Sequence, residues 1–231
     1  PLYKFLGGSE ERIETDYTVD IVTLPVAKKN AAKLAEKGYR VLKTKVGKDL
    51  EEDIDRLLAI KQGAPGCDIT LDANQGYSPP DAVYFLEALK TNNIRPLLFE
   101  QPVAKHDLPG MKFVKEHSSV PVGADESVFT CADAINIVRS GCADVINIKL
   151  MKSGIIEALD IVHDVDQMIQ IVSVDRPEIL KVKGFKQHAG GYKGFKRVLG
   201  TLRKLIDIVS KFWQRLKKVS HFLFKILQIS C

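Results

Sequence analysis

Between residues 96 and 125 the chain reads PLLFEQPVAKHDLPGMKFVKEHSSVPVGAD. Two short apolar runs, Pro96–Glu100 and Val120–Asp125, each end in a carboxylate, and the amphipathic stretch Leu108–His117 lies between them. Two runs of strand length on either side of a helical stretch predict a βαβ unit, in which the two strands are parallel.

The same unit repeats on both sides of this stretch. Further strands are predicted at Ile13–Val19, Arg40–Val46, Asp68–Ala73 and Asp144–Leu150, with a last short strand at Ile169–Val174. Further helices are predicted at Val26–Lys37, Leu50–Gln62, Pro80–Thr91, Ala132–Ser140 and Gly154–Val162. Six consecutive βα units predict the α/β class and, within it, an incomplete (β/α) barrel of the TIM type.

An ionisable residue stands at the carboxyl end of five of these strands. The five are Lys45, Asp72, Glu100, Asp125 and Lys149, at intervals of 27, 28, 25 and 24 residues. Barrel active sites are assembled at the carboxyl ends of the strands. Side chains two residues apart on a strand share a face, so Lys43 is expected beside Lys45. For the same reason Asn74 is expected beside Asp72.

The three carboxylates predict a site for a hard divalent cation. Asp72, Glu100 and Asp125 supply oxygen ligands from consecutive strands, which suits Mg²⁺, with Mn²⁺ as the alternative. The thiolate and imidazole ligands of softer metals do not occur at these positions. Such a cation acts as a Lewis acid on a substrate carboxylate, and a lysine with cationic neighbours can serve as the base.

Short motifs surround these strand-end residues. They are Lys43-Thr44-Lys45-Val46-Gly47, Leu71-Asp72-Ala73-Asn74, Phe99-Glu100-Gln101-Pro102, Gly123-Ala124-Asp125-Glu126-Ser127 and Asn147-Ile148-Lys149-Leu150-Met151-Lys152. In order and spacing, these motifs of residues 1–162 resemble the catalytic barrel of the enolase superfamily, in its muconate-lactonizing branch. The motif around Lys149 is similar to that of L-Ala-D/L-Glu-type dipeptide epimerases, while muconate cycloisomerase and o-succinylbenzoate synthase share most of the same residues.

The resemblance implies a role for each residue. Lys45 and Lys149 are implied as acid/base lysines on opposite faces of the substrate, with Lys43 as a helper. Asp72, Glu100 and Asp125 are implied as the ligands of Mg²⁺. Asn74 is implied as an outer neighbour of these ligands, and Glu126 either contacts the metal closely or is simply a polar barrel residue. The implied enzyme is an isomerase that epimerises dipeptides by 1,1-proton transfer through a Mg²⁺-stabilised enediolate.

The chain also departs from the family pattern. Residues 1–12 resemble only the last piece of the family's N-terminal capping domain, residues 13–162 the partial barrel, and residues 163–231 form an atypical, basic and mainly helical tail. The seventh and eighth strands, with the acidic D-x-D pair that holds a substrate ammonium group, have no recognisable counterpart. We therefore expect little or no activity from this chain alone, and an inactive fragment with a basic interaction tail is a further alternative.

Composition bounds the remaining properties. The 231 residues are 45% hydrophobic and 27% charged, as in a soluble globular protein, and no apolar run is long enough to span a membrane. Four cysteines without a C-x-x-C pair favour a reducing compartment, in the cytoplasm or an organelle. From Arg176 to Cys231 there are 14 basic and 2 acidic residues, which gives +12, against 20 and 27, or −7, elsewhere. We expect a small-molecule carboxylate or dipeptide substrate and no nucleic acid, and the oligomeric state stays open.

Overall fold

The computed structural model describes the backbone of residues 15–175 and the side chains of residues 15–165. Strands and helices alternate throughout this part of the chain. The strands are β1 (Tyr17–Val19), β2 (Val41–Lys45), β3 (Asp68–Asp72), β4 (Leu98–Glu100), β5 (Val122–Ala124) and β6 (Val145–Ile146). The helices are α1 (Leu24–Glu36), α2 (Leu50–Gly63), α3 (Pro79–Thr91), α4 (Leu108–Glu116), α5 (Cys131–Ser140) and α6 (Leu150–Asp175). The predicted cap remnant at residues 1–12 and the basic segment from Arg176 lie outside the described residues.

The six strands form one parallel sheet in the order in which they occur in the chain. A doubly wound sheet reverses its strand order, whereas a (β/α) barrel keeps it. Among the described strands the sheet is open, because β1 and β6 do not pair with each other. The prediction of an incomplete barrel of the TIM type is therefore confirmed.

The apolar core lies between this sheet and the helices. Buried strand residues include Leu42, Leu71, Phe99 and Val122, and buried helix residues include Leu57, Phe85, Met111 and Ile137. On β2 these positions alternate with Lys43 and Lys45, which stay partly exposed on the opposite face. The strand alternation thus separates an apolar layer from a polar interior.

Helix caps determine where the chain turns back along the sheet. The side chains of Asp49, Ser78, Asp107 and Thr130 accept backbone N–H groups at the starts of α2, α3, α4 and α5. Proline occupies the first turn of α1, α3 and α4, where its missing N–H costs nothing. These signals explain why most predicted helix starts lie within two residues of the observed ones.

The last described unit differs from the prediction. The strand predicted at Asp144–Leu150 spans only Val145–Ile146, because only these two residues pair with β5, and Leu150 already begins α6. Lys149 therefore lies in the connection after β6 rather than on the strand. Gly154, predicted as a helix start, lies inside α6 with φ 70° and ψ 179°, and it kinks the helix.

The strand predicted at Ile169–Val174 is also wrong. α6 continues to Asp175, so this apolar run is helical. A short run without alternation fits a strand and a buried helix equally well, and the sequence pattern alone does not separate them. α6 also crosses residue 162, at which the predicted barrel ends, and the domain boundaries stay a prediction.

For two expectations from composition, the structure gives findings in the described part of the chain. Cys67, Cys131 and Cys142 are free thiols. None of the helices described here combines the length and hydropathy that a bilayer span requires.

Candidate active site

Three carboxylates meet at the carboxyl ends of neighbouring strands. Asp72 ends β3, Glu100 ends β4, and Asp125 directly follows β5. Parallel register places Asp72 beside Glu100, and Glu100 beside Gly123, two residues before Asp125. The three residues are only 2%, 5% and 1% exposed. Buried carboxylates are stable only with cationic or hydrogen-bonding partners, so their surroundings define the site.

Lys43 joins the first two carboxylates. Its Nζ lies 2.9 Å from Asp72 Oδ2 and 2.7 Å from Glu100 Oε2. Burial alone would lower the pKa of Lys43, but its hydrogen bonds to Glu100 and Asp72 and their charges outweigh burial and raise the pKa. Burial raises the pKa of Glu100, and the hydrogen bonds from Lys43 and Asn147 only partly oppose this. Lys43 is thus a fixed ammonium group between two carboxylates.

Asp125 is held by two lysines, one on each carboxylate oxygen. Lys149 forms an ion pair with Oδ2, while Lys152 Nζ donates to Oδ1 at 2.7 Å and to the Asp125 carbonyl at 2.6 Å. Burial would raise the pKa of Asp125, but the two lysines outweigh it and lower the pKa. The Lys149 side chain is 36% exposed and that of Lys152 only 9%, so Lys149 is the one within reach of a ligand.

Two uncharged side chains, those of Asn147 and Gln101, hold the loops behind these ion pairs. Asn147 Nδ2 donates to Glu100 Oε1 at 2.8 Å. Gln101, fully buried with φ 39°, accepts the backbone N–H groups of Asp125 and Ser127 through Oε1. A non-glycine residue in this left-handed region is costly and is kept only where its surroundings demand it. Gln101 therefore fixes the turn that presents Asp125.

Lys45 has different surroundings. Its Nζ donates to Asn74 Oδ1 at 3.0 Å, and Asn74 Nδ2 donates to Glu126 Oε1 at 3.0 Å. The backbone N–H of Asn74 donates to Asp72 Oδ1 at 3.1 Å, which connects this chain to the carboxylates. The structure thus brings all eight predicted site residues to one end of the sheet. Their predicted roles remain predictions.

The donor set fits a divalent cation in its chemistry. The three carboxylates are hard oxygen ligands, buried on adjacent strand ends, as Mg²⁺ prefers. As the side chains lie, however, lysine ammonium groups contact all three carboxylates. Within residues 15–165 no group of three or more His, Cys, Asp or Glu side chains is arranged to hold a metal ion. A cation would therefore have to take over contacts that Lys43 and Lys149 now make.

Two residues of the site were not anticipated. Lys152 is not among the residues to which the sequence assigns a role, yet its side chain is only 9% exposed and contacts Asp125, and Asn147 was likewise assigned no role. The spacing held a signal for Lys152, since residues three apart at a helix start lie on the same side as each other. Lys149 and Lys152 have this spacing. Asn147 carried no such signal, because its direction depends on the turn after β6.

The family model described as "Enolase C-terminal domain-like" matches residues 26–168, which include every residue of this site. The chain belongs to this family. The resemblance inferred from the strand-end motifs is confirmed.

Two curated epimerases are similar to this chain in sequence. The L-Ala-D/L-Glu epimerase of Thermotoga maritima is 46% identical over 158 residues, 68% of this chain and 46% of that protein. The L-Ala-D/L-amino acid epimerase of Populus trichocarpa is 40% identical over 202 residues, 85% of this chain and 48% of that protein. The chain thus spans about half the length of the curated relatives it matches.

A solved structure of the family shows the same fold. The dipeptide epimerase of Enterococcus faecalis V583, complexed with Mg and the dipeptide L-Leu-L-Tyr, superposes with a TM-score of 0.69 at 41% identity. The match covers 72% of this chain and 47% of that one.

Proposed function

We propose that the chain carries the metal-binding and proton-transfer residues of a dipeptide epimerase acting on L-Ala-D/L-Glu-type dipeptides. The observation that carries the proposal is the arrangement of two lysines around three buried carboxylates. Lys45 ends β2 and Lys149 follows β6, and the strands that bear Asp72, Glu100 and Asp125 lie between them. The names of relatives that are 40–46% identical support the same activity.

The two lysines would exchange the proton on the carbon next to the substrate carboxylate. The neutral amine of one lysine takes the α-proton, and the C–H electron pair moves into the carboxylate to give an enediolate. The ammonium group of the other lysine returns a proton to the opposite face. Each turnover exchanges the protonation states of the two lysines, so neither an oxidant nor a reductant is needed.

Asp72, Glu100 and Asp125 would hold the divalent cation, with Mg²⁺ as the first choice. A cation bound there supplies positive charge for the substrate carboxylate. Lys43, held by Asp72 and Glu100, adds a second positive charge on the same side, and Asn147 keeps Glu100 in place. The positive charges of the cation and of Lys43 favour an anionic substrate. The lysines on either side of the carboxylates favour acid/base chemistry.

The test is α-proton exchange of L-Ala-L-Glu and L-Ala-D-Glu in D₂O with Mg²⁺, followed by NMR. The 231-residue chain should exchange slowly, because the open sheet of the described part leaves the site accessible to water. Lys45→Met and Lys149→Met should each abolish epimerisation and the exchange of one epimer, the one whose α-proton faces the replaced lysine. Lys115→Met is the control, since Lys115 is also a partly buried lysine paired with an aspartate, Asp144, on the outer layer.

Exchange of both epimers that survives in either lysine variant would contradict the proposal. So would exchange of equal rate in the presence of a chelator. Fast exchange by the parent chain, with the exchange of one epimer lost in each variant, would support the proposal and overturn the expectation of weak activity.

A further inference from the structure

The four lysines at the site fall into two classes. Lys43, Lys149 and Lys152 each contact a carboxylate directly. Lys45 forms no ion pair with any residue of the described part, and its Nζ donates instead to the neutral amide oxygen of Asn74. Lys45, one of the two lysines proposed to move a proton, is therefore oriented by a neutral amide and not by a carboxylate of the described part.

Asn74 is itself fixed from three directions. Its φ of 45° lies in the left-handed region, its backbone N–H donates to Asp72 Oδ1, and its Nδ2 donates to Glu126 Oε1. The carboxylate can only accept and the ammonium can only donate, so the amide has one orientation that satisfies both neighbours. Its oxygen is therefore directed at Lys45 by the charge of Glu126.

We propose that Asn74 and Glu126 are positioning residues for Lys45, which orient its amine through a neutral acceptor and keep a carboxylate one side chain away. This inference rests on the proposed function, in which Lys45 must alternate between amine and ammonium. A carboxylate in direct contact would favour the ammonium form, as Asp125 does for Lys149 until a cation takes over that contact. The amide supplies direction without that additional charge–charge attraction, while Glu126 fixes the amide.

The first test does not depend on catalysis. With lysine labelled at ¹³Cε, the Lys45 signal is assigned by its loss in Lys45→Arg and then followed in Asn74→Ala and Glu126→Gln. Asn74→Ala should move the Lys45 signal toward that of exposed lysines, and Glu126→Gln should move it in the same direction by less. Asn92→Ala is the control, because Asn92 donates to the Ala88 carbonyl at the end of α3, away from the site.

An unmoved Lys45 signal in both variants would overturn the proposal. Glu126→Gln keeps the size of the side chain, so it gives an answer even if Asn74→Ala does not fold. A shift of equal size in Asn92→Ala would also overturn it, since the signal would then report a general change in the fold.

The second test uses the stereochemistry of the reaction. Lys45 serves one face of the substrate only, so Asn74→Ala should slow exchange of the same dipeptide epimer that Lys45→Met slows. The expected loss is about tenfold for that epimer, a size typical of residues that orient others at a metal site, with the other epimer little changed. Equal losses for both epimers would indicate general damage and contradict the positioning role. If the parent chain exchanges neither epimer, the slow exchange expected of this chain is absent, and the lysine signals alone decide this inference.

Discussion

Lys152 holds Asp125 and the turn after β6 together. Its Nζ donates to Asp125 Oδ1, to the Asp125 carbonyl and, at 3.1 Å, to the Asn147 carbonyl. Lys152→Met keeps the stem but removes all three bonds, so it should lower the free energy of unfolding by roughly 1–3 kcal/mol. Urea denaturation measures this.

Lys90→Met is the matched substitution for Lys152→Met. Lys90 pairs with Glu87 on the surface of α3, where both side chains are more than half exposed, and its loss should cost no more than about 0.5 kcal/mol. Equal losses in the two variants would show that Lys152 is not the anchor described.

Asp53 fixes the loop that follows Lys45. It is fully buried, accepts the Gly47 N–H at 2.7 Å and the Tyr77 hydroxyl at 2.6 Å, and forms an ion pair with Arg56. Asp53→Ala should reduce the free energy of unfolding by roughly 3–5 kcal/mol, because Arg56 would stay buried without its partner. Asp55→Ala, an exposed change on the same helix, should have little effect in the same denaturation experiment. Similar losses at both positions would refute this account of the loop.

At the level of elements, the start of α5 should respond to acid. The Asp133 carboxylate accepts the backbone N–H groups of Thr130 and Phe129, at 2.8 and 3.1 Å. Partial burial would raise the pKa of Asp133, but these hydrogen bonds outweigh it and hold the pKa below its ordinary value. A lowered folded-state pKa stabilises the fold above the ordinary value of about 3.9, and this is lost as the pH falls through the folded-state pKa.

Asp133→Asn should therefore make the free energy of unfolding depend less on pH in the acid range. Between about pH 5 and pH 2, the free energy of unfolding should fall less steeply in Asp133→Asn than in the parent chain. Urea midpoints measured at several pH values in this range give the two slopes. Identical slopes would mean that the α5 cap does not titrate as described.

The elements also show what a sequence can and cannot predict here. β2 and β3 were placed to within one residue at each end, because their apolar residues alternate with polar ones and turn residues follow them. The sequence pattern predicts β6 too long and predicts a strand at Ile169–Val174, because the apolar runs there lack a decisive period. Strand ends depend on pairing with a neighbour, which a local pattern does not contain.

The sequence predicts which residues form the site, but it does not predict which of them contact each other. The strand-end rule alone was enough to group Lys45, Asp72, Glu100, Asp125 and Lys149, and the structure brings them to one end of the sheet. The rule says nothing about which lysine contacts which carboxylate. That Lys43 joins two carboxylates, while Lys45 contacts only an amide, depends on side-chain directions and loop turns that only coordinates supply.

At the scale of the whole molecule, the charges of the site are balanced within the described part. The lysines are Lys43, Lys45, Lys149 and Lys152, and the carboxylates are Asp72, Glu100, Asp125 and Glu126. A divalent cation would add two positive charges to this neutral set, so an anionic substrate would restore the balance. The strongly basic segment from Arg176 lies outside the described residues, and a role for it stays a prediction.

If Asp72, Glu100 and Asp125 bind one divalent cation, as proposed, titration of the chain with Mn²⁺ measures that binding directly. The parent chain should bind one Mn²⁺, and Glu100→Gln should bind it at least about tenfold more weakly. Replacing even a residue that only contacts a metal ligand typically weakens metal binding by about that factor. Glu87→Gln removes an exposed carboxylate of α3 and should bind as the parent does. Equal affinity in the parent and Glu100→Gln, or no binding by the parent, would contradict the account.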